Sequence, residues 1–141
     1  MGHFTPRSHE GHEGSRRQLI ADPWSSRVIG AAITVHRALG PGLLESAYQA
    51  ALAAELEAIH VPCEREWPIP LFYRDKALDT HYRLDFLVGG LVVVELKAVE
   101  AILPIHAAQL LTYLRLGGFR VGLLINFNVP VLRKGIVRRV L

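Results

Sequence analysis

The sequence predicts an α+β domain, α/β in the broad sense, in which a mixed sheet is flanked by helices. Two features of the sequence support this. Apolar residues recur at helical spacing in two early segments and one late segment, and the segments between them alternate with a period of two. Glycine and proline mark each change of period. The predicted order is α, α, β, β, β, α, β, β over residues 18–141, which we expect to form one domain behind a disordered polar tail at residues 1–17.

Two helices are predicted before the first strand. The segment from Ser25 to Leu39 has an apolar face at helical spacing, and the Gly40-Pro41-Gly42 break ends it. A second amphipathic segment runs from about Leu43 to His60, and Val61-Pro62 ends it. Glycine and proline between two such segments allow the chain to turn sharply.

The next segment, from Glu64 to Tyr73, alternates in polarity. Pro68 and Pro70 interrupt it and remove two backbone donors, so we expect an irregular edge strand. Arg74-Asp75-Lys76 then reads as a turn.

A hairpin follows this turn. The segments Leu78 to Val88 and Leu91 to Val99 are predicted to form its two strands, and Gly89-Gly90 joins them. Two glycines at this point permit the positive φ angles that a tight hairpin turn requires.

The last third of the chain predicts a helix and two strands. Pro104 opens a helix that extends to about Leu116, and Gly117-Gly118 stops it. Phe119 to Phe127 is strongly apolar, which indicates a strand buried on both faces. Val129 to Leu141 is predicted as a final, basic edge strand.

Charged residues interrupt the apolar hairpin. Asp85 lies on its first strand, and Glu95 and Lys97 lie on its second. Strand residues alternate between faces, so Glu95 and Lys97 point to one side. Charges within such a run are costly unless they pair or bind something. A surface salt bridge is one explanation. Another is a site in which two carboxylates hold a divalent cation and the lysine stabilises charge on a phosphate.

Two further motifs lie on either side of the hairpin. Residues 42–48, GLLESAY, are a G-x-x-E-x-x-Y motif, and residues 109–113, QLLTY, are a Q-x-x-x-Y motif. Together with Asp85 and Glu95-Leu96-Lys97, they make the sequence resemble the GxxExxY family, a small branch of the PD-(D/E)xK nuclease superfamily. The resemblance covers roughly Ser26 to Leu141. The core order of that superfamily, αβββαβ, matches the order predicted from Leu43 onward, leaving an extra N-terminal helix and a C-terminal edge strand.

The resemblance implies a metal-dependent nuclease that acts on nucleic acid, with DNA favoured over RNA. Asp85, Glu95 and Glu45 would bind Mg²⁺ or Mn²⁺, and the backbone carbonyl of Leu96 would complete the set. Lys97 would orient the attacking water or stabilise the developing negative charge. Tyr48, three residues after Glu45, is expected to be a core aromatic whose hydroxyl is hydrogen-bonded.

Three residues of the third helix are candidates for binding substrate. Gln109 and Tyr113 are four residues apart and share a helical face. Their spacing resembles the RecB-type exonuclease branch, in which these residues line the site. His106 precedes Gln109 by three residues and is a further candidate, although a histidine in a first helical turn is more often a packing residue.

Composition bears on partners and location. The net charge is +3, with 13 arginines and three lysines, which suits phosphate binding without requiring it. Half of the residues are hydrophobic, so we expect some apolar surface to be covered in a homo-oligomer. Cys63 is the single cysteine, no apolar run is long enough to span a membrane, and the N-terminus lacks an apolar signal core. These features predict a cytoplasmic protein with no membrane partner.

Two alternatives remain open at this point. The chain could be a catalytically silent nuclease-fold protein that acts by homo-oligomeric assembly. It could also be a nucleic-acid-binding module that uses the arginine-rich segment 133–139 without cleavage.

Overall fold

The computed structural model describes residues 21–141, so the predicted disordered tail at residues 1–17 lies outside the described residues. The elements follow one another in the order helix, helix, three strands, helix, strand, 3₁₀ turn, strand. They are α1 Ser25–Leu39, α2 Glu45–Ala58, β1 Cys63–Tyr73, β2 Lys76–Val88, β3 Val92–Lys97, α3 Pro104–Gly117, β4 Val121–Asn126, the 3₁₀ turn Leu132–Gly135 and β5 Ile136–Val140.

The five strands form one mixed sheet whose spatial order is the chain order, β1-β2-β3-β4-β5. Neighbouring strands are antiparallel except β3 and β4, which are parallel. The parallel pairing is possible because α3 lies between these two strands in the chain and returns it to the end of the sheet at which β3 begins. The predicted fold class is confirmed. From α2 onward the order is αβββαβ, with α1 added before it and β5 at the far edge.

Each face of the sheet has its own hydrophobic cluster. The first cluster joins α1 and α2 to the sheet, and the second joins α3 to the opposite face. β3 shows the alternation that produces this, because Val94 and Leu96 belong to the first cluster and Val93 to the second. β4 is buried along its whole length, as its apolar sequence predicts.

The segment after β4 corrects one prediction. Residues 129–141 were expected to form a single strand, but the chain makes a 3₁₀ turn at Leu132–Gly135 before β5 begins. Gly135 passes so close to the Asn126 carbonyl that an added Cβ would lie 2.3 Å from its oxygen. The chain can return to the sheet edge through this turn because residue 135 has no side chain.

The second helix is also shorter than predicted, and it begins at Glu45 rather than Leu43. Leu44 is extended, with φ −71° and ψ 152°, and Gly42 has a φ of +102°. The turn before α2 therefore continues up to the first helical residue, which places Glu45 in the first helical turn.

The β1–β2 hairpin extends past the helices and forms an arm, defined here as residues 68–83. Residues 76–83 of β2 are all exposed, and a register shift interrupts β1 between Pro70 and Phe72, consistent with the irregularity that the prolines predict. Phe72 and Tyr73 are 64% and 63% exposed near the tip. At its base the arm reaches the edge of the α3 cluster through Ile69. Within residues 21–141 no helix has both the length and the apolar character needed to cross a membrane.

The turn between β2 and β3 offers a matched test of the structure. Gly89 and Gly90 have φ angles of +59° and +69°. A Cβ on Gly89 would meet the Trp24 indole nitrogen at 2.0 Å, whereas a Cβ on Gly90 would meet nothing within 4 Å. We expect Gly90→Ala to lower the free energy of unfolding by about 1 kcal/mol through backbone strain alone. Gly89→Ala should cost about 2–4 kcal/mol, because Trp24 must also move.

Urea denaturation of both variants beside wild type measures this difference. Equal midpoints for the two alanine variants would contradict the close approach of Trp24 to Gly89.

Candidate active site

The backbone ladder between β2 and β3 stops before the hairpin strands end. Paired residues run from Val88–Val92 to Phe86–Val94. Beyond this pair, hydrogen bonds between side-chain carboxylates and backbone amides replace the hydrogen bonds between the two backbones. The Leu96 amide donates to Asp85 Oδ2 at 2.8 Å, and the Asp85 amide donates to Glu95 Oε2 at 2.8 Å. Each carboxylate thus bridges to the opposite strand, so both are fixed in the gap where the strands part.

An irregularity in β2 explains why the strands part at Asp85. A regular strand would place Leu84 and Phe86 on the same face, but Leu84 belongs to the α3 cluster and Phe86 to the α1–α2 cluster. On the neighbouring strand, Glu66 lies between the pairs Arg65–Phe86 and Trp67–Leu84, and it has a positive φ of 52°. The two strands therefore reverse their faces together, with Asp85 at the point of reversal.

The positive charge of Lys97 does not offset the cost of burying the carboxylates of Asp85 and Glu95. Burial, and then repulsion from Asp85, raise the pKa of Glu95 to about 8, although the Asp85 amide and Lys97 oppose the shift. Burial also raises the pKa of Asp85, against hydrogen bonds from the Leu96 amide and the Gln49 side chain and against the charge of Lys97. Ionising both carboxylates in this gap is therefore unfavourable.

Glu45 belongs to the same cluster. Burial and the charge of Asp85 raise the pKa of Glu45, and the charge of Lys97 lowers it. Gln49 lies one turn along α2 and donates to Glu45 Oε2 at 3.2 Å. Since the Gln49 side chain also hydrogen-bonds the Asp85 carboxylate, it joins the helix to the strand. Sequence reasoning missed Gln49, although its spacing of four from Glu45 places it on the same helical face.

Lys97 ends β3 on the side of Glu95, as the alternation predicts. It lies beside Asn126 in the parallel register with β4, and its carbonyl accepts a hydrogen bond of 2.9 Å from the Phe127 amide. Asn126 is 1% exposed and holds both backbone groups of Val99: Oδ1 accepts from the Val99 amide at 3.0 Å, and Nδ2 donates to its carbonyl at 2.9 Å. The sequence predicted that β3 would extend to Val99. Because the Asn126 side chain takes both backbone groups of Val99, the strand ends at Lys97 instead.

Asn126 is the second functional position that sequence reasoning missed. Oδ1 also accepts from the Asn128 amide at 3.2 Å, so three backbone groups depend on this one side chain. The available signal was a lone side-chain amide inside the otherwise apolar run from Val121 to Phe127. A buried polar side chain in such a strand indicates a specific backbone partner.

The candidate residues of α3 are placed differently from one another. Tyr113 is half-buried, and burial followed by the negative charge of Glu95 raises its pKa, so it belongs to the cluster. His106 lies in the first turn, where its Nδ1 accepts a hydrogen bond of 2.9 Å from the Leu103 amide and caps the helix. Gln109 is exposed, one turn before Tyr113.

Tyr48 holds the turn that precedes Glu45. It is fully buried, its hydroxyl donates to the Gly40 carbonyl at 2.6 Å and accepts from the Leu43 amide at 3.1 Å, and its ring stacks on Phe127 at 4.5 Å between centroids. Tyr48 is thus the core aromatic that the sequence led us to expect. It links the start of α2 to the strand end beside Lys97.

The donor set suits a hard cation in an open site. No three His, Cys, Asp or Glu side chains between residues 21 and 141 are arranged to hold a metal ion unaided. Asp85 and Glu95 nevertheless offer two half-buried carboxylates whose pKa values are both raised, and the carboxylate of Glu45 is close enough for its charge to act on Glu95. Magnesium binds oxygen donors and commonly keeps several waters, so a few carboxylates satisfy it. The residues therefore fit a divalent cation that completes its shell with water.

The fold and the site together define a nuclease-like domain, in which a mixed sheet opens around two carboxylates and a lysine follows two residues after the second. The chain belongs to the PD-(D/E)XK nuclease superfamily, whose family model matches residues 22–140. A search of curated proteins and a search of solved structures each gave no match.

Proposed function

We propose that this protein hydrolyses phosphodiester bonds in nucleic acid, with DNA as the preferred substrate, and that it belongs to the GxxExxY branch of the superfamily. The observation that carries the proposal is the meeting of Asp85, Glu95 and Lys97 where β2 and β3 part. The branch assignment is supported by Glu45, which lies at this cluster, and by Tyr48, which fixes the turn before it.

Asp85 and Glu95 would hold Mg²⁺ or Mn²⁺, assisted by Glu45 and by the Leu96 carbonyl. A bound ion of this kind supplies a reactive water and neutralises charge on the phosphate. The raised pKa values of the three carboxylates support the assignment, because a cation would favour their ionised forms.

The remaining residues would orient substrate and water. The charge of the Lys97 ammonium acts on all three carboxylates, and this group would direct the attacking water or stabilise negative charge on the phosphate. Tyr113 lies at the cluster, and Gln109 and His106 continue along α3 toward its start. We assign these three residues to substrate binding.

A second candidate function is assembly by a catalytically silent nuclease-fold protein. The apolar side chains near the tip of the β1–β2 arm favour it, because Phe72, Tyr73 and Leu78 are 64%, 63% and 42% exposed. The same surface supports homo-oligomerisation of an active enzyme, which we also propose. For the third reading, a binding module built on β5, the ion pair of Arg138 with Asp22 at 2.9 Å is unfavourable, since it engages one of the arginines. The single cysteine remains our basis for proposing a cytoplasmic location.

Cleavage of end-labelled DNA and RNA, single- and double-stranded, tests the proposal. With Mg²⁺ or Mn²⁺ present, wild type should cleave at least one substrate, and Lys97→Ala should reduce the rate by about 100-fold or more, because it removes the cation beside the carboxylates. Lys76→Ala is the matched control, since Lys76 is exposed at the start of β2 near the arm tip.

Two results would count against the nuclease. One is a folded wild type that cleaves none of the substrates. The other is Lys97→Ala cleaving at the wild-type rate, which would point to a contaminating enzyme. In the first case, light scattering that shows a large particle would favour the assembly function.

A further inference from the structure

We propose that Tyr82 and Tyr113 form a stacking platform for an unpaired nucleobase beside the phosphodiester site, and that this platform makes the protein selective for single-stranded or frayed nucleic acid. The selectivity rests on the proposed function, while the platform itself can be tested by binding alone. Sequence reasoning singled out Tyr113 but gave Tyr82 no role.

The two rings come from different elements and meet at the cluster. Tyr82 lies at the base of the β1–β2 arm, three residues before Asp85, and Tyr113 lies in the third turn of α3. Their ring centroids are 5.3 Å apart at an interplanar angle of 51°. The negative charges of Glu95 and Asp85 both act on Tyr113, so the ring pair lies within electrostatic range of the two carboxylates.

Tyr82 is not explained by packing alone. It is 46% exposed and lies in an exposed run of eight residues, where its neighbours His81 and Arg83 are also exposed. Leu84, two residues further along β2, is fully buried in the α3 cluster. Tyr82 therefore lies on the same face of β2 as Leu84, where this face emerges from the cluster into solvent. Nearly half of the tyrosine surface is free for a ligand to cover.

The chemistry of the cluster favours an aromatic contact at this position. The cluster holds three acidic side chains, Asp85, Glu95 and Glu45, which repel phosphate when they are ionised, so affinity for a polyanion must come partly from uncharged contacts. Stacking of a base on an aromatic ring supplies such affinity with little dependence on sequence. Bases inside a duplex are already stacked and would have to be extracted first, at a cost of a few kcal/mol. An unpaired base reaches the two tyrosines without that cost.

Fluorescence of a single-stranded oligonucleotide that contains 2-aminopurine tests the platform directly. The titration is run without added divalent cation, so that binding is measured apart from cleavage. We expect wild type and Tyr82→Phe to quench the probe similarly, because both retain a ring. Tyr82→Ala should bind about 10-fold more weakly with most of the quenching lost. Thr80→Ala is the control for an exposed, uncharged side chain elsewhere on the same arm, and it should match wild type.

The proposal is overturned if Tyr82→Ala binds and quenches as wild type does, if Tyr82→Phe loses as much affinity as Tyr82→Ala, or if wild type does not bind the probe. Cleavage with Mn²⁺ is then compared on single- and double-stranded substrates. Tyr82→Ala should lose rate mainly on the single strand. Quenching that depends on Tyr82 in a protein that cleaves nothing would retain the platform and reject the nuclease, so the two failures are distinct.

Discussion

Replacing Glu95 with glutamine is expected to stabilise the protein in EDTA at alkaline pH while removing phosphodiester hydrolysis. Glu95 has a pKa of about 8 in the folded protein, against an ordinary value of 4.5. The folded state therefore binds more protons than the unfolded state between these values, and the wild-type free energy of unfolding should fall as the pH rises from 4.5 to about 8. Glutamine cannot ionise, so the variant should escape most of this loss.

The expected gain in EDTA is about 1–3 kcal/mol at about pH 9, and it should be small at about pH 5, where Glu95 is protonated in the folded wild type. Urea denaturation at several pH values measures it. Asp85 and Glu45 also have raised pKa values, so some dependence on pH should remain in the variant. Glu100→Gln, at an exposed glutamate shortly after β3, is the control and should leave the wild-type pH profile unchanged.

The same substitution should lower the cleavage rate by about 1000-fold, because it removes a charged oxygen donor from the cation site. Loss of activity together with a gain of stability identifies a group whose charge is retained for function rather than for folding. A variant that is less stable than wild type at alkaline pH would show that the carboxylate of Glu95 is a structural group instead.

Asn126→Ala is expected to be the most destabilising polar substitution in the described part of the chain. It would leave three backbone groups without their partner: the amide and carbonyl of Val99 and the amide of Asn128. Buried donors and acceptors left without partners cost about 1–3 kcal/mol each, and allowing for entering water we expect a total of about 3–5 kcal/mol. Thermal and urea unfolding both measure this loss.

Asn128→Ala is the comparison, because it changes only a half-buried side chain. The backbone amide of residue 128 still donates its hydrogen bond to Asn126 Oδ1 in this variant. It should cost less than about 1 kcal/mol. Similar losses in the two variants would mean that Asn126 does not hold the end of β3. If Asn126→Ala remains folded at low temperature, we expect a reduced cleavage rate, because Lys97 immediately precedes the segment that Asn126 fixes.

The sequence predicted the order of the elements, because helical spacing and strand alternation are local patterns. Helical spacing identified α1, the apolar run identified β4, and Gly89-Gly90 identified the hairpin turn. Alternation along β3 predicted that Glu95 and Lys97 share a side. The structure also brings Glu45 to this cluster, as its place in the G-x-x-E-x-x-Y motif led us to expect.

Contacts that depend on tertiary structure were not predictable in this way. The reversal of faces at Asp85 requires Glu66 on the adjacent strand to adopt a positive φ, and no period within β2 reveals it. Gln49 acquires its role only when α2 lies against Asp85, and Asn126 only when the chain after β3 reaches it. Tyr82 reads as an ordinary strand residue until α3 places Tyr113 beside it.

The parallel pairing of β3 with β4 has a consequence for the order in which the chain folds. Both hairpins join neighbouring segments and close short loops, whereas the pairing of Val92 with Val121 must wait for α3 to cross the sheet. Until then β4, which is buried at all six positions in the final structure, remains exposed as an apolar segment that can associate with other chains. We therefore expect folding yield, rather than final stability, to be the property most sensitive to temperature and concentration during synthesis.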